Sequence, residues 1–236
     1  EFRRVLFRSF DGDGKTDLAV YRPSQGTWYV LNSADSTISV TGFGLQTDVP
    51  APADFDGDGR ADVAIFRPST GDWWINGTLN GVYARNWGTN GDIPVVGDYD
   101  NDGVSDVAVF RPSQGIWYIL KSTGGFQTAN WGVSTDKVVP ADFNGDGKTD
   151  LGIFRPSDGK WYIATDITNT GAGTVTPWGT AGDIPVAADF DGDGKADIAI
   201  FRPSTGDWWI NRTTAGAIVQ HWGQNGDKPS EAAFVN

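Results

Sequence analysis

The 236-residue sequence has no cysteine, no methionine, one histidine and two glutamates. Without cysteine there is no disulfide framework and no thiol chemistry. The single histidine, His221, lies in a variable segment and is not expected to be catalytic. No apolar run approaches the ~20 residues of a membrane-spanning helix, so membrane insertion is not expected. Helical periodicity is absent throughout. Lysine and arginine nowhere cluster and the net charge is -12, which argues against a nucleic-acid partner. The missing methionine also means that no start residue is present. Glu1–Ser9 fits no repeat, and one back-translation of it matches a common sequencing-library adapter. We read residues 1–9 as a non-native leader and 10–236 as a single domain. An upstream portion with its signal peptide is expected to be missing.

What is present is aspartate, and it is patterned. Of 30 acidic residues 28 are Asp, and 18 of them stand in five short loops. The pattern Asp-x-(Asp/Asn)-x-Asp-Gly-x-x-Asp occurs four times, in repeats starting near 54, 98, 142 and 189; a fifth copy, starting near 10, lacks its first acid. Acids at positions 1, 3, 5 and 9, a glycine turn at 6 and a carbonyl at 7 form the spacing that wraps oxygens around a hard cation. The candidate ligands of the complete loops are Asp54, Asp56, Asp58, Arg60 and Asp62; Asp98, Asp100, Asp102, Val104 and Asp106; Asp142, Asn144, Asp146, Lys148 and Asp150; and Asp189, Asp191, Asp193, Lys195 and Asp197. In the incomplete loop they are Asp11, Asp13, Lys15 and Asp17. Position 7 would contribute its backbone carbonyl. The expected ion is Ca²⁺, at four sites with a fifth incomplete. Position 12 is not Glu, so this is no EF-hand, and affinity should sit at the weak, extracellular end. Five such ions would bring the charge from -12 to about -2.

The loops recur in phase with four strand signals. After each comes an apolar run closed by Arg-Pro-Ser, as in Val63–Arg67, and then a Ser-x-Gly turn. A second run carries Trp28-Tyr29, Trp73-Trp74, Trp117-Tyr118, Trp161-Tyr162 or Trp208-Trp209. A third, variable run ends in aromatic-Gly, and a fourth starts at Asp48, Asp92, Asp136, Asp183 or Asp227 and enters the next loop. Four short strands per ~44 residues predict an all-β fold, a β-propeller of five four-stranded blades that is either complete or a fragment of a larger propeller. The segment 227–234 repeats the strand of 183–190 without its loop, so the ring is expected to be closed by this C-terminal strand.

Aromatic-Gly, the Asp loop and the Pro-ended strand, as in Trp87-Gly88, Asp98 to Asp106 and Arg111-Pro112, resemble the FG-GAP/VCBS repeat over residues 10–234. That repeat builds the propeller of integrin alpha subunits and of a fungal propeller lectin. Phe/Tyr-Arg-Pro replaces Gly-Ala-Pro here, which points to a bacterial surface or secreted relative. The resemblance implies calcium in loops on one face, stiffening the blades, with partners bound elsewhere.

All 11 tryptophans occupy repeat-equivalent positions, which favours packing between blades. The alternating aromatics Tyr29, Trp74, Tyr118, Tyr162 and Trp209 point to the other strand face and are the candidates for stacking a ligand. The ionisable residues outside the repeat are scattered, so no enzyme is expected. The expected function is a monomeric, extracellular binding or adhesion module with a glycan or protein ligand. The alternative is a structural or targeting domain of a larger secreted enzyme.

Overall fold

The structure is a computed structural model that describes residues 5–229, with side chains from Ser9 onward. Among the described residues twenty strands make five antiparallel four-stranded sheets, the arrangement of a β-propeller. Blade one is β1 (Val5–Arg8), β2 (Asp17–Arg22), β3 (Thr27–Leu31) and β4 (Ile38–Gly42). Blade two is β5 (Val49–Pro50), β6 (Val63–Arg67), β7 (Asp72–Gly77) and β8 (Gly81–Asn86). Blade three is β9 (Ile93–Pro94), β10 (Val107–Arg111), β11 (Ile116–Leu120) and β12 (Phe126–Asn130). Blade four is β13 (Lys137–Val138), β14 (Leu151–Arg155), β15 (Lys160–Ala164) and β16 (Thr174–Pro177). Blade five is β17 (Ile184–Ala188), β18 (Asp197–Arg202), β19 (Asp207–Arg212) and β20 (Gly216–His221). By contact density the described chain falls into two compact units, residues 5–111 with Tyr118–Gln127, and Pro112–Trp117 with residues 128–229.

Each blade runs from buried to exposed. In blades two to five the second strand is a near-continuous buried run because both faces are covered, and β10 and β14 are buried at four consecutive positions, whereas β2 alternates. The third strand alternates, as β7 does. The fourth is solvated, and all six residues of β20 are exposed.

The first strand of blade one departs from expectation. Val5–Arg8 pairs with β2, with Val5 opposite Val20 and Arg8 opposite Asp17. The sequence reading gave that position to the C-terminal strand, whose residues 230–236 lie outside the described residues. The local Asp loop joins β1 to β2, as it joins the first and second strands of every other blade.

At one end of each blade an indole ties the third strand to the aromatic-Gly corner. Trp28, Trp73, Trp117 and Trp161 are fully buried. Their Nε1–H groups donate to the carbonyls of Phe43, Trp87, Trp131 and Trp178 at 2.7–3.0 Å. Trp208 does the same to Trp222. Arg67, Arg111, Arg155 and Arg202 donate two bonds each to Asp48, Asp92, Asp136 and Asp183. These acids are buried, and the same carboxylates also accept the N–H of Leu45, Thr89, Val133 and Thr180. A planar guanidinium fork fits such a carboxylate where lysine would not.

The turn glycine of Ser-x-Gly is required twice over at Gly71. Its φ is +74°, and a Cβ would lie 2.1 Å from the carbonyl oxygen of Gly88. Gly81, with φ +70°, has open space around its Cβ position. Gly81→Ala should therefore cost only the left-handed penalty of about 1–2 kcal/mol. Gly71→Ala should cost clearly more in urea unfolding; equal costs would refute the steric reading.

Candidate metal loops

Each Asp loop joins the first and second strands of its blade, and its acids do two kinds of work. The first-position carboxylate folds back over its own turn. Asp54 accepts from Gly57 and Gly59 N–H at 2.7 and 2.8 Å, and Asp98, Asp142 and Asp189 repeat both bonds. In the first loop Ser9 stands in this place and its hydroxyl accepts the Gly14 N–H. The left-handed residues at positions 4 and 6 aim these amides inward. Asn101 serves at position 4 of the third loop with φ 62°.

The ninth-position acids Asp17, Asp62, Asp106, Asp150 and Asp197 are all buried. One oxygen of each accepts the position-2 N–H, from Phe10, Phe55, Tyr99, Phe143 or Phe190. The other oxygen of four of them accepts an N–H beyond the tryptophan strand, from Ser33, Thr78, Ser122 or Thr213. The hydroxyls of those same four residues donate to the fifth-position acids Asp13, Asp58, Asp102 and Asp193. Sequence reasoning missed this clamp. Its signal was a Ser or Thr five residues after the first tryptophan of the strand, in four of the five repeats. The fourth repeat has Asp166 there instead, and its carboxylate turns to Thr168.

The acids converge. Oxygens of Asp11, Asp13 and Asp17 lie within 4.8 Å of one another, as do those of Asp54, Asp56 and Asp58, of Asp98, Asp100 and Asp106, and of Asp189, Asp191 and Asp197. The fourth loop is not among these triads: Asn144 replaces an acid there and its amide donates to Asp146. The position-7 residues Lys15, Arg60, Val104, Lys148 and Lys195 donate their N–H to the fifth-position acids.

One observation tests whether this donor set fits a cation. At position 3 one oxygen of Asp56 accepts the N–H of Leu79 and Asn80, while its Oδ1 is buried without a hydrogen-bond partner. Asp100 Oδ1 and Asp191 Oδ1 share that state. A buried carboxylate oxygen without a donor costs free energy, and three equivalent ones facing a cluster of acids are what a hard cation would satisfy. The residues fit a metal.

The candidate stacking aromatics lie elsewhere. Tyr29, Trp74, Tyr118, Tyr162 and Trp209 each sit beneath a guanidinium, those of Arg22, Arg67, Arg111, Arg155 and Arg202, at 4.3–5.5 Å from the ring centroid. Trp74 also packs on the core of Trp28 and Val30, and Trp209 on that of Phe154 and Trp161. Both Trp74 and Trp209 keep a buried Nε1–H without a partner. At Trp74 and Trp209 the opposite strand face thus meets a packed apolar core rather than open solvent.

The repeat-spanning profile of the FG-GAP-like repeat matches residues 10–65, 54–109, 98–153 and 142–200. The chain belongs to the FG-GAP-like repeat family. Solved structures of the same fold include a lectin of Agrocybe aegerita, described as recognising non-reducing terminal N-acetylglucosamine. That match has 18% identity, a TM-score of 0.58, and covers 92% of this chain and 64% of the lectin. Virginiamycin B lyase from Staphylococcus aureus matches at 8% identity and TM-score 0.59, over 97% of this chain and 72% of that one. At these identities the likeness is one of fold. This FG-GAP-repeat chain spans about two thirds of the lectin's length. No curated protein sequence matches it.

Burial raises the carboxyls of Asp62 and Asp106 to about 6 and that of Asp150 to about 7. Unfolded aspartate titrates near 3.9. The folded, metal-free state therefore holds extra protons between about pH 4 and 7, and stability from these groups is full below pH 4 and lost as pH rises through 6–7. In chelator, the melting temperature should be higher at pH 5 than at pH 7.5, and Asp150→Asn should flatten that slope. A bound divalent cation should raise the pH 7.5 value most, since it replaces the protons. Unchanged melting on adding divalent cation at pH 7.5 would exclude the metal loops.

Proposed function

We propose that this chain is a calcium-braced β-propeller that acts outside the cell as a monomeric, non-enzymatic binding module, with carbohydrate as its ligand class. Calcium is the ion favoured by an all-oxygen set with spare ligands and no His or Cys. Loops lacking a position-12 Glu suit the millimolar calcium of extracellular fluid.

One observation carries the binding reading. Repeated side chains serve the fold, and the symmetry breaks at a groove between blades two and three, beside their Asp loops. This groove has a volume of about 290 Å³ and is lined by Asn80, Tyr83, Arg85, Lys121 and Ser122 with Asp56, Asp102, Val104 and Ser105. Tyr83 and Arg85 stand opposite Ile75 and Trp73. The equivalent pairs are Ser39 and Thr41 in blade one, Thr174 and Thr176 in blade four, and Ile218 and Gln220 in blade five. Arg85 lies over the Tyr83 ring at 4.9 Å. A cleft of this size with converging donors suits one or two sugar residues.

His221 supports the non-enzymatic reading. Its Nδ1 lies 2.8 Å from Asp207, across a strand pair. In blade two the same register position holds Asn86 on Asp72, at 2.7 Å. An asparagine does the same structural job, so the pair needs no proton chemistry.

A glycan array with calcium present tests the reading. Arg85→Ala and Lys121→Ala should each weaken the best glycan about tenfold, a loss of about 1.4 kcal/mol. Chelator should abolish binding. A silent array, or binding unmoved by both substitutions, would reject carbohydrate as the ligand.

A further inference from the structure

We infer that neighbouring Asp loops take up their metal cooperatively, because the segment that wraps one ion also grips the loop before it. This inference rests on the reading that the loops hold calcium. Three backbone bonds link successive loops. Ala61 N–H donates to the Ser9 carbonyl at 2.8 Å, Ser105 N–H to the Asp54 carbonyl at 2.7 Å, and Ala196 N–H to the Asp142 carbonyl at 2.7 Å. In every case the acceptor is position 1 of one loop and the donor is position 8 of the next.

That donor sits between two groups of its own site. Position 7, which precedes it, is the expected carbonyl ligand, and position 9, which follows it, is the buried acid. A second contact repeats beside the first. The position-4 glycines Gly12, Gly57 and Gly145 lie under the position-7 side chains Arg60, Val104 and Lys195, which a Cβ would approach to 2.8, 3.0 and 3.1 Å. The glycine belongs to the turn that the position-1 carboxylate closes. Each junction therefore joins positions 1 and 4 of one site to positions 7 and 8 of its neighbour.

A metal that fixes positions 7 to 9 of one loop holds the donor of this bond in place. The loop before it then has its position-1 residue already ordered, and its own ion has less conformational entropy left to remove. The effect is reciprocal, since a coupling free energy acts equally in both directions. Position 3, with its unpartnered oxygen, lies within the same turn in the second, third and fifth loops.

Calcium titration of the whole chain by calorimetry tests this. The wild type should bind with a Hill coefficient above one. Asp100→Asn combined with Asp102→Asn silences the third loop while keeping every backbone amide. It should remove one ion and also weaken the remaining sites, on the order of fivefold at the adjacent loop. Ser105→Pro removes one linking N–H and no carboxylate. It should keep the ion count and move the Hill coefficient toward one. If Ser105→Pro fails to fold, as judged by circular dichroism in chelator, the double Asn variant decides alone. A Hill coefficient of one in the wild type, with unchanged residual affinity in the double variant, overturns the coupling while leaving the calcium reading intact. No calcium uptake by the wild type overturns both.

Discussion

A buried aspartate carboxylate is the joint on which each blade depends. At Asp17, Asp62, Asp106 and Asp197 one oxygen takes the N–H that opens the Asp loop, and the other takes an N–H past the tryptophan strand. Two connections distant in sequence are thereby tied at one point inside the protein. Burial makes those bonds strong, and at Asp62 and Asp106 it also makes the carboxylate expensive to ionise without a cation nearby. Of the acids that tie the blade, Asp17, Asp106 and Asp197 also stand in the clusters that could hold an ion.

The far end of the blade solves the opposite problem. Asp48, Asp92, Asp136 and Asp183 are also buried, but each faces a guanidinium fork and a backbone amide. Their charge is balanced within the chain. The same guanidinium groups cap the rings of Trp74, Tyr118, Tyr162 and Trp209, so one side chain closes a corner and covers an aromatic face. Two classes of buried acid thus coexist in blades two to five, one neutralised by protein and the other suited to an ion.

This division explains where binding chemistry has room. The repeated polar groups are spent on corners, loops and indole bonds, so the proposed ligand would be met by residues that the repeat does not fix. Tyr83, Arg85 and Lys121 are such residues, and they gather at one groove beside two Asp loops. A binding site of this kind inherits the rigidity of the blades on either side of it.

The spacing of Asp54, Asp56, Asp58 and Asp62 and its recurrence every 44–47 residues were enough to read the loops, the strand order and the five-bladed propeller. Short-range geometry governs them: turn glycines, proline stops and aromatic strands act within a few residues. The clamp by Ser33, Thr78, Ser122 and Thr213 was harder to see, because a lone hydroxyl residue carries no signal until a fold brings it to an acid 20 positions away. The face met by Trp74 and Trp209 was likewise open, since strand alternation says only that they point away from Trp73 and Trp208. By itself the sequence determined the repeat, the acid pattern of the loops and the fold class. Only the tertiary structure decided what packs against the second aromatic, which strand fills the first blade and where Tyr83, Arg85 and Lys121 meet, because those outcomes depend on contacts between separate blades.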